Sequence, residues 1–215
     1  MTNLELIEKL KCIVLRSEEI EEAMKEVPRE LFVPEECLEE AYGDYPIPIG
    51  HGQTISQPFT VVVMTEMLDV EPGHKILEIG AGSGWQAALL GHIVGPEGRV
   101  FTIDRNEELV KIARENVEKT GLNNVEIIHG DGTMGLEEEA PFDRIIITAA
   151  TPRIPPPLTE QLKEGGKIVA PVGDMFRQEM FLYEKTRMGL RKTLNRGQYK
   201  FVPLVGRHGF RCRVW

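Results

Sequence analysis

Apolar positions fall along this chain in two rhythms. Over residues 3–26 Leu4, Ile7, Leu10 and Val14 recur at helical spacing, and Ser17 followed by Glu18 and Glu19 signals a second helix with a side-chain cap and an acidic first turn. Val27-Pro28 ends it, and burial of Phe32 is expected to anchor the connector 28–34. Further on, short apolar runs alternate with helical patterns. The runs at 75–79, 99–104, 125–129, 142–150 and 165–172 read as strands. A helix opens at Trp85 and is followed by the tight turn Gly95-Pro96-Glu97-Gly98. Another is capped by Asn106, turns Leu109, Ile112, Ala113 and Val117 inward and stops at Gly121, and a short one leads from Pro155 to Lys163. Segments near 179–185 and 199–204 read as antiparallel edge strands. Strands alternating with helices specify an α/β fold with a mostly parallel central sheet and helices on both faces.

Two stretches break this regularity. Residues 41–58 are rich in glycine and proline and too long for a simple turn, which points to a functional loop. The loop runs into a helical pattern with Pro58 in its first turn, so Ser56 reads as the N-cap of that helix. The second stretch is Glu78-Ile79-Gly80-Ala81-Gly82-Ser83-Gly84-Trp85, between a buried strand and a helix. Glycine suits a place where ligand presses on backbone, and the helix start behind it offers free N–H groups. Gly82 to Ala87 fits the dinucleotide fingerprint with alanine in third place, a weak match when it stands by itself.

The acids at the strand ends narrow the ligand. In a parallel sheet the ligand lies beyond the carboxyl ends of the strands, where Glu78, Asp104, Asp131 and Thr148 should converge. Asp104 follows Gly84 by twenty residues, a position suited to accepting two ribose hydroxyls. Asp131 lies between two glycines, where a flat adenine can approach the chain. Glu78 has a reason to exist beside a cationic ligand, by direct contact or through water or backbone. One acid for ribose, one near adenine and one near a positive end favour S-adenosylmethionine over a nicotinamide dinucleotide.

Composition changes the picture little. The 215 residues suit one domain, and no apolar run is long enough to span a membrane. The acidic N-terminus lacks a signal-peptide core, so the expected location is the cytoplasm. Cys12, Cys37 and Cys212 form no pair of close spacing, and the five histidines are scattered, so reduced thiols and no metal site are expected. A net charge of −9 argues against a general nucleic-acid binder. From Lys185 to Trp215, however, nine Lys/Arg stand without an Asp or Glu. That stretch is either a solvated basic rim or a surface that attracts an anionic substrate.

The glycine turn resembles the first motif of class I S-adenosylmethionine-dependent methyltransferases. From about residue 4 to 206 the chain resembles the protein-L-isoaspartate (D-aspartate) O-methyltransferase family. The marks are Gly52-Gln53-Thr54-Ile55-Ser56-Gln57-Pro58, Gly130-Asp131-Gly132, Leu162-Lys163-Glu164-Gly165-Gly166-Lys167 with Pro171-Val172-Gly173, and Phe201-Val202-Pro203-Leu204. The resemblance implies a Rossmann-like methyltransferase fold in one domain. Residues 1–70 would cover the substrate side, 71–175 the cofactor-binding core, 176–206 the antiparallel strands and 207–215 a tail of open role. It implies methyl transfer to the free α-carboxylate of L-isoaspartyl residues in damaged proteins and peptides, initiating repair through a succinimide.

The site residues follow from the same resemblance. Ser56 is assigned to the active site with Thr54, as catalytic residues, while its reading as a helix cap stands beside that role. Ile55, Gln57 and Val202 are expected at the substrate. Glu78, Gly80, Ala81, Gly82, Gly84, Asp104, Arg105, Asp131, Gly132 and Thr148 are expected at the cofactor. A carboxylate is ionised at neutral pH, so the transfer needs orientation rather than a general base. The expected partners are isoaspartyl proteins and peptides rather than nucleic acid or membrane, and the expected state is a monomer. The alternatives are a class I methyltransferase acting on RNA or a small carboxylic acid, a nicotinamide oxidoreductase, and a non-catalytic binding protein with this fold.

Overall fold

The computed structural model describes residues 1–211; Cys212 and the last part of the tail lie outside the described residues. Two helices open the chain, α1 (Asn3–Ile13) and α2 (Glu18–Glu26). Each has its cap. Thr2 and Glu5 form a reciprocal capping box on α1, and the Ser17 hydroxyl accepts from the Ile20 N–H on α2. Phe32 is buried in the connector. Next come a hairpin, β1 (Ile47–Gly50) with β2 (Gln53–Ile55), and α3 (Pro58–Leu68).

The α/β core continues with β3 (Lys75–Ile79), α4 (Trp85–Val94), β4 (Arg99–Asp104), α5 (Glu107–Glu118), β5 (Val125–His129), β6 (Phe142–Ile147), α6 (Pro156–Gln161) and β7 (Leu162–Gly173). The antiparallel β8 (Gln178–Thr186) and β9 (Gly189–Tyr199) finish the sheet. The strand order is β5-β4-β3-β6-β7-β8-β9, with the first five parallel. The chain winds outward from β3 through β4 and β5, then restarts on the other side at β6. The crevice at that reversal, beyond the ends of β3 and β6, is the ligand position for such a sheet.

Strand alternation sends side chains to two cores. Ile76, Val100, Ile146 and Val169 pack with Met64 and Leu68 of α3 and Leu90 and Val94 of α4. Leu77, Phe101, Ile145, Ile147 and Ile168 pack on the opposite face with Leu158 of α6. The N-terminal helices bury Leu6, Leu10 and Met24 in a third cluster with Trp85 and Leu89 of α4. Each fully buried Leu or Ile contributes about 1.5–3 kcal/mol relative to exposure.

Three sequence expectations are corrected here. The second edge strand is Gly189–Tyr199, not 199–204; of the latter segment Tyr199 ends that strand, paired with Gln178, and Pro203 forms an isolated bridge to Ala150. The strand from Phe142 stops at Ile147, and the helix from Pro156 at Gln161. Finally, Ser56 is not the cap of α3. That position belongs to Gln57, whose side chain makes no cap bond. The cap comes from farther off: Asp44 Oδ1 accepts from the Phe59 N–H at 2.9 Å. Asn106 does cap α5, accepting from the N–H groups of Glu108 and Leu109. Among the described residues no helix is long and apolar enough to cross a membrane.

Candidate active site

A cavity of about 470 Å³ opens where the parallel strands end, within the range usual for small-molecule sites. One wall is the turn from β3 into α4. The Gly80 N–H donates to Ile103 O at 2.8 Å, continuing the strand pairing past the end of β3. Gly80 has φ +104, and a Cβ there would meet Thr148 Oγ1 at 2.6 Å. That hydroxyl donates to Gly80 O at 2.7 Å, or to Ile79 O at 3.0 Å, so Thr148 at the end of β6 locks the turn from the neighbouring strand. Asp104 locks it from the other side. Its Oδ2 accepts from the Gly82 N–H at 3.0 Å and its Oδ1 from the Asn106 N–H at 2.9 Å. Gly82 has φ +53 and open space where a Cβ would project, with only Ile49 Cδ1 as near as 3.8 Å. A ligand can therefore lie against this backbone.

Glu78 lines the same cavity and is completely buried. Neither carboxyl oxygen has a hydrogen-bond partner among the described residues, and neither has the adjacent Thr102 hydroxyl. Burial pushes the Glu78 carboxyl up to about 8; the Thr102 hydroxyl works against that shift and the Asp104 charge adds to it. An unpaired buried carboxyl of this kind invites a cationic or hydrogen-bonding ligand.

The opposite wall comes from the loop and the chain end. Thr54, Ile55 and Ser56 line the cavity from β2 and its exit, and Val202 to Val205 line it from beyond β9. With capping supplied by Asp44, the Ser56 hydroxyl is released from α3. Of the residues expected at the cofactor, Glu78, Gly80, Ala81, Gly82, Asp104, Arg105, Gly132 and Thr148 converge on the cavity.

Three expected site residues do not line it. Gly84, at φ +90, faces α5, where a Cβ would meet Ala113 O and Val117 Cγ2, each at 3.1 Å. Its requirement is helix packing. Asp131 is held elsewhere: Oδ1 accepts from the Thr133 N–H and hydroxyl, and Oδ2 from the Arg207 N–H at 2.8 Å. Burial alone would raise its pKa, but these hydrogen bonds prevail and hold the carboxyl below its usual range. Gln57 donates to Asp44 O at 3.0 Å and braces the loop from behind.

Sequence reasoning missed Trp85, Gln86 and His51, which also line the cavity. Trp85 and Gln86 sit in an apolar helical pattern that reads as core, and both are indeed buried. No pattern around His51 could have singled it out. The φ of +53 at this non-glycine residue in the β1–β2 turn does so in three dimensions.

This sheet, its antiparallel C-terminal strands and the glycine turn with an acid on the next strand define a Rossmann-like methyltransferase. Residues 1–209 match the family model described as Protein-L-isoaspartate(D-aspartate) O-methyltransferase (PCMT), and the chain belongs to that family. A protein-L-isoaspartate O-methyltransferase of Methanopyrus kandleri is 52% identical over 207 residues, covering 95% of this chain and 92% of that one. One from Methanothrix thermoacetophila is 48% identical over 210 residues, covering 98% of each. A solved protein-L-isoaspartate O-methyltransferase superposes with a TM-score of 0.88 at 31% identity, over 97% of this chain and 67% of that one. A putative protein-L-isoaspartate O-methyltransferase from Plasmodium falciparum, solved with S-adenosyl-L-homocysteine, gives 0.84 at 25% identity over 95% and 99%.

Proposed function

We propose that the enzyme transfers the methyl group of S-adenosylmethionine to the free α-carboxylate of L-isoaspartyl residues in damaged proteins and peptides, and so starts their repair. The observation that carries this reading is that one cavity is lined both by the glycine turn pinned to Asp104 and by Thr54 to Ser56, with the Ser56 hydroxyl free of helix capping. The cofactor fits the residues present. The backbone at Gly82 has room for a ligand, and the buried Glu78 carboxyl lacks a partner. When bound, S-adenosylmethionine supplies an electrophilic methyl carbon on a positively charged sulfur.

Asp104 accepts the ribose hydroxyls while still holding the glycine turn. Gly80, Ala81 and Gly82 offer backbone, Arg105 and Thr148 close the sides, and Glu78 stands toward the positive end. Gly132 lies along the adenine, and Asp131 serves there through the turn it stabilises. The Ser56 and Thr54 hydroxyls hold the acceptor carboxylate by hydrogen bonds from uncharged donors and introduce no charge that would compete for the methyl carbon. Ile55 and the backbone at Val202 flank the peptide, and Gln57 acts through the loop.

No proton has to be removed, because the acceptor is already ionised at neutral pH. The protein's contribution is alignment and exclusion of water, which together can supply about 7–11 kcal/mol of the barrier reduction. The methyl ester leaves the enzyme; the neighbouring peptide nitrogen then attacks its carbonyl, its proton departing with the methoxy group as methanol, and water reopens the resulting succinimide partly to ordinary aspartate. The partners in this reading are isoaspartyl proteins and peptides, met by a cytoplasmic monomer without metal, and the net charge of −9 sets nucleic acid aside. The test is methyl transfer from labelled S-adenosylmethionine to two peptides differing only in L-isoaspartate or L-aspartate. Base-labile label is expected on the isoaspartyl peptide alone. Label on neither peptide, with S-adenosylhomocysteine still bound, would overturn the substrate assignment.

A further inference from the structure

One charged side chain inside the molecule has no part in the chemistry above. Arg29 is 1% exposed, and among the described residues its guanidinium bonds only to backbone carbonyls and to no carboxylate. Burial draws its guanidinium down to about 10, against the opposing pull of Asp44, which leaves it ionised at neutral pH. Its hydrogen bonds all go to one segment. Nη1 donates to Ala41 O at 2.7 Å and Gly43 O at 3.2 Å, and Nη2 to Tyr45 O and Ser56 O, each at 3.1 Å. The guanidinium also stacks over the Trp85 ring at 5.4 Å. Trp85 lines the cofactor cavity, and its Nε1 donates to Val27 O at 3.2 Å.

The segment these bonds gather is the one that carries Thr54 and Ser56. Its strands β1 and β2 pair only with each other and form a sheet separate from the seven-stranded one. Backbone pairing therefore does not fix where Ser56 stands relative to the glycine turn. A planar fork with several donors can fix it, where a lysine ammonium, a point charge, reaches fewer carbonyls.

We propose that Arg29 is a positioning residue for the acceptor carboxylate: by joining Ser56 O and three other loop carbonyls to the Trp85 ring, it sets the Thr54–Ser56 segment at the in-line distance from the cofactor. The inference rests on the functional reading above and adds a residue that touches neither ligand. Misplacement by about 1 Å costs on the order of 100-fold in such a reaction, so Arg29→Lys is expected to lower kcat/KM for an isoaspartyl peptide by about that factor. The loss should be shared between a higher peptide KM and a lower kcat. The KM for S-adenosylmethionine and the Kd for S-adenosylhomocysteine should stay close to wild type. Arg29→Met, which removes charge and donors together, should be slower still, with Arg29→Lys as partial rescue. If Arg29→Met does not fold, Arg29→Lys carries the test.

Unchanged peptide kinetics in folded variants would overturn the proposal. So would a fall in S-adenosylhomocysteine affinity that matches the fall in turnover, since that is the mark of general structural support. Wild-type turnover measured alongside separates the two readings. Absence of isoaspartyl methylation in wild type overturns the functional reading itself, whereas normal wild-type turnover with unaffected variants overturns the role of Arg29 alone.

Discussion

The two walls of the crevice, which the proposed function assigns to cofactor and to acceptor, hold their shape by different means. On the cofactor side the turn continues the β3–β4 ladder through the Gly80 N–H, and two short side chains, Asp104 and Thr148, bond directly to its backbone. Neighbours in the sheet supply most of it, and Asn116 of α5 adds a hydrogen bond to Ser83 O at 3.1 Å. On the acceptor side the β1–β2 hairpin stands apart from the main sheet, and long-range side chains fasten it. Arg29 gathers four carbonyls and Asp44 reaches the start of α3. A wall made by strand register is fixed as soon as the sheet forms. A wall made by clamps is only as rigid as a few buried polar groups allow, and single substitutions can loosen it without disturbing the sheet.

The difference can be tested in order of expected size. The largest effect belongs to Glu78. Its carboxyl is raised from an ordinary 4.5 to about 8, so the folded protein holds a proton that the unfolded chain has released. The stabilisation is complete below the unfolded value and is lost as pH rises through about 8. Thermal melts of the ligand-free enzyme should show stability falling by up to about 1.4 kcal/mol per pH unit across that window. Glu78→Gln should flatten the slope, and an unchanged slope would mean that Glu78 titrates normally.

Next comes Asp104→Ala, which removes the acceptor of two backbone N–H groups and of the ribose hydroxyls. Hydrogen bonds to a charged group are each worth about 1.5–3 kcal/mol, so calorimetry should find S-adenosylhomocysteine affinity reduced at least about 100-fold. Retained affinity would remove the ribose assignment.

Ser56→Ala is the smaller counterpart across the crevice. Loss of one hydrogen bond to a carboxylate, at least about 1.5 kcal/mol, should slow peptide methylation about tenfold or more, with cofactor affinity and melting temperature kept. A drop in melting temperature would return Ser56 to a capping role. The smallest effect is expected for Asp44→Ala. It should cost about 1 kcal/mol of stability in denaturant titrations, the usual worth of a helix cap, which Ser56→Ala should not. Equal stability in both variants would break the reading of Asp44 as the cap of α3.

The same contrast explains what the sequence could and could not reveal. Each core strand carries an apolar run and each core helix a start or stop signal, so β3 to β7 were legible, as was the convergence of Glu78, Asp104 and Thr148 on one edge. The cap of α3 was not. Local rules choose the nearest serine, while the carboxylate that folds back comes from fifteen positions before Phe59. Asp131 misled for a similar reason: the backbone of Arg207, 76 positions away, takes up one of its oxygens. β9 escaped because nearly all of its side chains are exposed, which erases the alternation that marks a half-buried strand. Its pairing with β8 and the Lys192 ammonium, 3.6 Å from the centre of the Phe181 ring, leave no periodic trace.

That exposed strand also bears on the company the enzyme keeps. Among the described residues β9 ends the sheet with one side unpaired, and unpaired strand edges recruit other chains into aggregates. A repair enzyme meets such chains by vocation, since damaged proteins are often partly unfolded. Arg191, Lys192 and Arg196 put charged side chains on this strand, Arg191 paired with Glu184 and Lys192 lying over the Phe181 ring, and charged side chains on an edge strand discourage further pairing. The enzyme can thus handle sticky clients at its crevice without templating their assembly at its border.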